Sequence, residues 1–184
     1  MSAKRFLWIA VLPGMMSFFA VRAQAADLTF YVGGVRPGSI NFQNAQRSLD
    51  GSPVFGFRLG TNFVPSFGME HTLAFSSDYL FPQGLSSVQD ARGFVFNSNL
   101  LFSLPTKKTV PYVTVGVGVI HQYGSSDLPV GTKFAFNYGG GLKFPRLAGR
   151  LGLRFDVRGY SAGIISNNLN MLEVSGGIMI STGP

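Results

Sequence analysis

Arg150-Leu151-Gly152-Leu153-Arg154-Phe155-Asp156-Val157-Arg158 alternates without a break: every second residue is apolar, and those between are glycine or charged. Successive side chains of a strand point to opposite faces. The segment therefore has one apolar face and one that an ordinary oily core would reject. Repeated around a closed sheet, such strands enclose a polar lumen and turn an apolar surface outward.

The same two-residue period predicts eight strands, at about 28–36, 53–62, 68–80, 92–104, 110–120, 132–144, 150–160 and 171–181. Each is close to the roughly 9–11 residues that a tilted spanning strand needs. The connections alternate in length. Residues 37–52, 81–91, 121–131 and 161–170 form a long set, and 63–67, 105–109 and 145–149 a short one that holds Pro65, Pro105 and Pro145. An even strand count with short turns at one end and longer loops at the other predicts an all-β fold: an eight-stranded antiparallel transmembrane barrel with both chain ends on the periplasmic side.

A soluble ligand-binding barrel also alternates, so the residue types must decide which face points outward. One phase holds Gly56, Gly60, Asn97, Asn99, Gly139, Gly141, Gly152 and Gly177, small residues suited to a narrow lumen. The other carries Phe55, Phe57, Phe94, Phe96, Phe102, Phe134, Phe136, Phe144 and Phe155, suited to lipid. Charged residues are 12% of the chain, about half the roughly 25% typical of soluble domains. Tyr31, Tyr79, Tyr112, Tyr123, Tyr138 and Tyr160 fall mostly toward strand ends, where an aromatic girdle is expected.

Ahead of the barrel, Lys4 and Arg5 precede an apolar stretch from Phe6 to Val21, and Ala23-Gln24-Ala25 supplies small residues. These are the parts of an export signal, expected to span residues 1–25 and to be cleaved after Ala25, leaving a domain at 26–184. Pro13, Gly14 and Arg22 interrupt the run and argue against a helical anchor. Lys4, Arg5 and Arg22 leave with the signal, so 15 basic residues become 12 against 8 acidic ones, a net charge of +4. No basic block with interleaved aromatics is present, which excludes nucleic acid as a partner. With 0 cysteines, no disulfide or thiolate chemistry is available.

Thr29-Phe30-Tyr31-Val32-Gly33-Gly34, Pro111-Tyr112-Val113-Thr114-Val115-Gly116-Val117-Gly118, Tyr138-Gly139-Gly140-Gly141-Leu142-Lys143-Phe144, Leu153-Arg154-Phe155-Asp156-Val157-Arg158-Gly159-Tyr160 and Leu172-Glu173-Val174-Ser175-Gly176-Gly177 together resemble the bacterial outer-membrane beta-barrel domain family. The build is similar to small OmpA-type and OmpX-type barrels, over essentially the whole expected mature chain. The resemblance implies an integral protein of the outer membrane of a Gram-negative envelope, in contact with outer-membrane lipid and lipopolysaccharide and inserted by the barrel assembly machinery. Such barrels commonly end in an aromatic residue, whereas this sequence ends Ile180-Ser181-Thr182-Gly183-Pro184.

Some small outer-membrane barrels hydrolyse or transfer lipid acyl chains. His121, Ser125, Ser126 and Asp127 hold the ingredients of a nucleophile and base, but a surface loop gives them no fixed geometry. Ile165-Ser166-Asn167 lacks the histidine of the His-x-Ser-Asn pattern of barrel deacylases. His71 and His121 on separate elements fall short of a metal site, and His71 is expected as an interfacial ring. Gly116-x-Gly118 and Gly139-Gly140-Gly141-Leu142-Lys143 miss the residues that nucleotide-binding motifs require. We expect no catalytic, metal or cofactor site.

The charged residues of the polar phase are another matter. Hairpin pairing about residue 64 would set Arg58 opposite Glu70, and pairing about the last loop sets Arg158 opposite Glu173. Turns centred near 147.5 and 165.5 would place Arg154 between Gly141 and Gly177, Asp156 between Gly139 and Ser175, and Arg158 between Asn137 and Glu173. Arg58, Glu70, Arg154, Asp156, Arg158 and Glu173 are thus expected as a paired, structural cluster in the lumen, because unpaired charge there is costly. The expected role is structural or surface-interacting, through the loops and a partner that the sequence does not name. A small-solute pore, a lipid A-modifying enzyme and a soluble ligand-binding barrel are the alternatives.

Overall fold

The two-residue period closes on itself. In the computed structural model, which describes residues 25–38, 40–42, 45–47, 51–77, 92–106, 108–124, 131–163 and 169–182, every regular element is a strand. Eight of them form one closed antiparallel barrel: β1 (Ala25–Pro37), β4 (Ser52–Val64), β5 (Phe67–Ser76), β6 (Arg92–Ser103), β7 (Val110–Tyr123), β8 (Thr132–Ala148), β9 (Leu151–Ala162) and β10 (Leu169–Ser181). Each strand bonds to its sequence neighbour, and β1 pairs with β10 to close the seam. A two-stranded ribbon, β2 (Ile40–Phe42) with β3 (Ala45–Arg47), stands in the first long connection, where the sequence pattern predicts no strand. The expected export signal lies outside the described residues up to position 24, and so do Tyr79, Ser125, Ser126, Asp127 and Ile165-Ser166-Asn167.

Burial alternates along the strands as the sequence does. Strand β9 reads exposed, buried, exposed, buried from Leu151 to Arg158. Phe30, Phe55, Phe102, Phe134, Phe136 and Phe155 are exposed on the outer face. Rings meet there across strands, as in the Phe55–Phe75 stack (6.2 Å between centroids) and the edge-on Phe144–Phe155 pair (6.2 Å). An outer face of this composition has no favourable partner in water but suits hydrocarbon.

Two irregularities move the register from the one that symmetric turns predict. The β4–β5 hairpin centres one residue later and shifts between Asn62 and Val64, so Arg58 faces Thr72 and Glu70 faces Gly60. Arg58 and Glu70 are therefore not opposite each other. In the β8–β9 hairpin, Pro145 lies within β8 rather than in a turn, and the register shifts between Phe144 and Ala148. Proline lacks the N–H that the ladder needs, and Arg146 beside it takes a left-handed φ of 59°. The bulge slides β8 by two residues: Arg154 faces Lys143, Asp156 faces Gly141, and Arg158 faces Gly139 instead of Asn137. Between β9 and β10 the expected register holds, with Arg154, Asp156 and Arg158 facing Gly177, Ser175 and Glu173.

Candidate functional site

The lumen divides into three layers, two of them filled by side chains. An eight-stranded barrel has an interior just wide enough for side chains to meet. Nearest the long connections lies an apolar layer that includes Val35, Val54, Val95, Ile120, Ala135 and Met171, all buried. Charged residues and tyrosines occupy the middle. At the short-turn end a vestibule of about 850 Å³ opens, with Asp27, Asn62, Ser103, Lys143, Met179 and Ser181 in its lining.

The middle layer contains all six charged residues singled out in the sequence, and the three arginines are fully buried at 0% exposure. Their ion pairs cross the barrel rather than run along one hairpin. Arg154 Nη1 donates to Glu70 Oε2 at 2.5 Å, and Arg158 Nη2 donates to Glu70 Oε1 at 2.6 Å. Strands β9 and β5 are four places apart in a ring of eight, so these bonds span its diameter. From β4, Arg58 Nη1 reaches Asp156 Oδ2 at 2.9 Å, and its Nη2 reaches Glu173 Oε1 at 2.5 Å. Asp156 is the hub, because it also accepts from Arg154 Nε (2.9 Å) and Arg158 Nη2 (3.0 Å).

Arg158 and Glu173 face each other in register without an ion pair between them. The Arg158 guanidinium turns to Glu70 and Asp156, while Glu173 receives Arg58, the Tyr160 hydroxyl (2.7 Å) and the Ser175 hydroxyl (2.8 Å). Small residues make room for this arrangement. A Cβ placed on Gly141 would stand 2.2 Å from the Phe155 carbonyl oxygen and 2.6 Å from the Tyr112 hydroxyl. Lys143, the one long side chain facing Arg154, points its ammonium to Asp27 Oδ2 at 2.7 Å, near the short-turn end.

Three tyrosines belong to this cluster and not to a girdle. Tyr31, Tyr112 and Tyr160 share the strand phase of Thr29, Thr114 and Arg158 and are buried with them. Arg58 lies 3.7 Å above the Tyr31 ring, and Arg154 lies 4.8 Å from that of Tyr112. The Tyr112 hydroxyl donates to Asp156 and accepts from Arg154 Nε at 2.9 Å. Strand parity, read residue by residue, was the signal that could have found them. Tyr123 and Tyr138 do face outward.

All four carboxylate oxygens of Asp156 and Glu70 are bonded, but among the described residues Arg58 Nε and the Tyr31 hydroxyl have no hydrogen-bond partner, and a larger mismatch lies on β6. Both amide atoms of fully buried Asn97 have no hydrogen-bond partner among the described residues. An isosteric apolar side chain removes that mismatch. Asn97→Leu is expected to hold or raise stability, within about 1 kcal/mol, in urea unfolding of the detergent-folded protein. A loss above about 2 kcal/mol would show that Asn97 is matched after all.

Neither histidine belongs to the lumen. His71 stands mid-strand on the outer face of β5 rather than at an interface, with Nδ1 2.9 Å from Ser98 Oγ and its ring stacked on Phe96. A contact of that length suits a nucleophile and its base. Glu70, the neighbouring carboxylate, points the other way, into the lumen, with both oxygens held by arginines. His121 Nδ1 meets Thr132 Oγ1 at 2.6 Å. Among the described residues, no group of three or more histidine, aspartate or glutamate side chains could hold a metal ion.

A family model for the outer membrane protein beta-barrel domain matches residues 12–178. Among solved structures, Neisserial surface protein A superimposes with a TM-score of 0.64 at 12% identity, covering 85% of this chain and 97% of that one. The outer membrane protein OprG from Pseudomonas aeruginosa gives 0.62 at 12% identity, over 88% and 98%. The outer membrane enzyme PagL gives 0.53 at 14% identity, over 84% and 98%. At such identities the likeness carries the fold alone. No curated protein matches the sequence.

Proposed function

The chain belongs to the outer membrane protein beta-barrel domain family, which places it in a Gram-negative outer membrane, and from that premise we propose that it is a non-catalytic barrel acting through its long connections. One observation carries the reading: the ion pairs of Glu70 with Arg154 and Arg158 cross the full width of the lumen. Crossing bonds brace a wall, whereas a water-filled channel keeps its charges on separate sides. With the apolar layer above them, they leave the loops as the part offered to the outside. In this reading the export signal is cleaved after Ala25, the assembly machinery inserts the barrel, and lipid and lipopolysaccharide surround it. The loops would then engage a surface partner.

Orientation supplies the test. Epitope tags within 37–52, 81–91, 121–131 or 161–170 are expected to bind antibody on intact cells, and tags near 65, 107 or 147 only after the envelope is opened. The opposite pattern would turn the barrel over and remove the loops from the surface.

The vestibule of about 850 Å³ favours a second reading, a small-solute pore entered from the short-turn side. Discrete conductance steps from the purified protein in planar bilayers would support it over the braced wall.

A further inference from the structure

The vestibule at the short-turn end has a charged floor. Lys143 is buried there, with its ammonium 2.7 Å from Asp27 Oδ2 and 5.5 Å from the centre of the Tyr112 ring. Tyr112 in turn donates its hydroxyl to Asp156, so the floor passes directly into the layer of ion pairs that cross the lumen. An ammonium has three N–H donors, and Lys143 gives one of them to Asp27.

Two further cations stand above Lys143 on the same wall. Pairing of β7 with β8 runs out at Val110 opposite Lys143, and Lys108 and Arg146 follow just beyond it on the adjoining strand ends. Both line the vestibule, and neither shares an ion pair with a described residue. Asp27 balances Lys143, so Lys108 and Arg146 are left as the excess of the described lining. The backbone holds both in place. Around Lys108, the Thr106 N–H donates to the Thr109 carbonyl at 3.1 Å and the Thr109 N–H to Thr106 Oγ1 at 3.2 Å. Arg146 keeps its left-handed φ of 59° in the β8 bulge, a conformation that a residue other than glycine holds only where its surroundings impose it.

Between the charges the wall is apolar, with Val110, Phe144, Leu147 and Met179. The volume of about 850 Å³ falls within the roughly 300–1,000 Å³ of small-ligand sites. An inorganic ion would use the cations and leave the apolar side chains in water. A neutral apolar molecule would leave the cations unmatched. An acid group on an apolar body uses both.

We propose that the short-turn vestibule is a binding site for a small organic anion, its acid group held among Lys108, Lys143 and Arg146 and its apolar body against Phe144 and Met179. The inference goes beyond the role of the long connections and does not depend on what they engage.

The test holds the folded protein in phosphatidylcholine nanodiscs and follows para-trifluoromethylbenzoate by fluorine NMR, with empty discs as the background. Saturable binding above that background is expected, with little for the neutral para-trifluoromethylbenzamide. Lys108→Gln with Arg146→Gln should weaken binding of the benzoate about tenfold, the worth of one charge-assisted hydrogen bond. Lys108→Gln alone, which alters only a connection, should weaken it partway, and Lys108→Arg should leave it unchanged. Salt at about 1 M, which screens exposed charges within about 3 Å, should weaken binding to the unaltered protein and change the double variant little. Absence of binding above the empty discs, benzamide binding as strong as that of the benzoate, or benzoate binding that survives the double change would overturn the proposal. Displacement by inorganic phosphate as readily as by unlabelled benzoate would do the same and assign the cations to a bare anion. A heat-shifted gel band reports barrel formation in each variant, and if the double variant lacks it, Lys108→Gln decides. Tags that mark the wrong end of the barrel would remove the role of the loops and leave this result standing.

Discussion

Glu70→Ala is expected to destabilise the folded barrel by about 3–5 kcal/mol, the usual cost of removing one member of a buried ion pair. Glu70 binds Arg154 through one oxygen and Arg158 through the other, and no exposed surface lets either guanidinium find water. The penalty comes from the two arginines left behind rather than from the lost contacts, and a double-mutant cycle separates these. Once Arg158 is already alanine, Glu70→Ala should cost appreciably less, because one orphan charge is gone. Arg158 and Glu173 face each other in register but share no bond, so their coupling should be smaller than that of Arg158 with Glu70. Urea unfolding followed by far-ultraviolet circular dichroism and by gel mobility gives all four corners of each cycle. The one tryptophan is Trp8, within the expected export signal, so its fluorescence is no substitute. Equal coupling for the two pairs would mean that Arg158 turns toward Glu173 in the membrane.

The second large effect belongs to the opposite face. Phe155 is 53% exposed on the outside of β9 and packs edge-on against Phe144. Its neighbours in register, Leu142 on β8 and Gly176 on β10, give no polar group to a substituted side chain. Phe155→Arg should cost about 2–4 kcal/mol in a lipid-folded sample, as charges near the bilayer midplane do in such barrels. The same change in a barrel surrounded by water would cost little or would help. Unchanged stability in lipid would therefore reverse the assignment of the two faces.

Strand number, phase and the identity of the six lumen charges were readable because alternation is a local property, repeated in every strand. Register was readable only where the chain is regular. Between β9 and β10 the symmetric turn placed Arg158 against Glu173 correctly. Pro145 and Arg146 defeat the same rule, because a bulge inserts residues without interrupting the apolar phase on either side of it. Tyr31, Tyr112 and Tyr160 depart from the expected girdle for a different reason. An aromatic ring with a hydroxyl suits both a membrane interface and a buried carboxylate, so residue type alone does not choose between them. The apolar layer of Val35, Val54, Val95, Ile120 and Met171 was hidden by treating the inner phase as uniformly polar. A lumen plugged by paired charges in its middle has no need of polar side chains at the long-connection end.

The crossing ion pairs also determine how the chain can reach this state. Glu70 and Arg154 are 84 residues apart, and Arg58 and Glu173 are 115 apart. A nascent sheet lacking β9 and β10 would carry Arg58 and Glu70 without their partners, facing whatever medium it had entered. Pairing partners for Arg58 and Glu70 arrive only when strands from the two halves of the chain meet, so a half-inserted sheet gains little from its early hairpins. Long-range contacts of this kind make folding slow and cooperative. The charges that brace the finished wall thus act earlier as a checkpoint, favouring closure before deep entry into the bilayer.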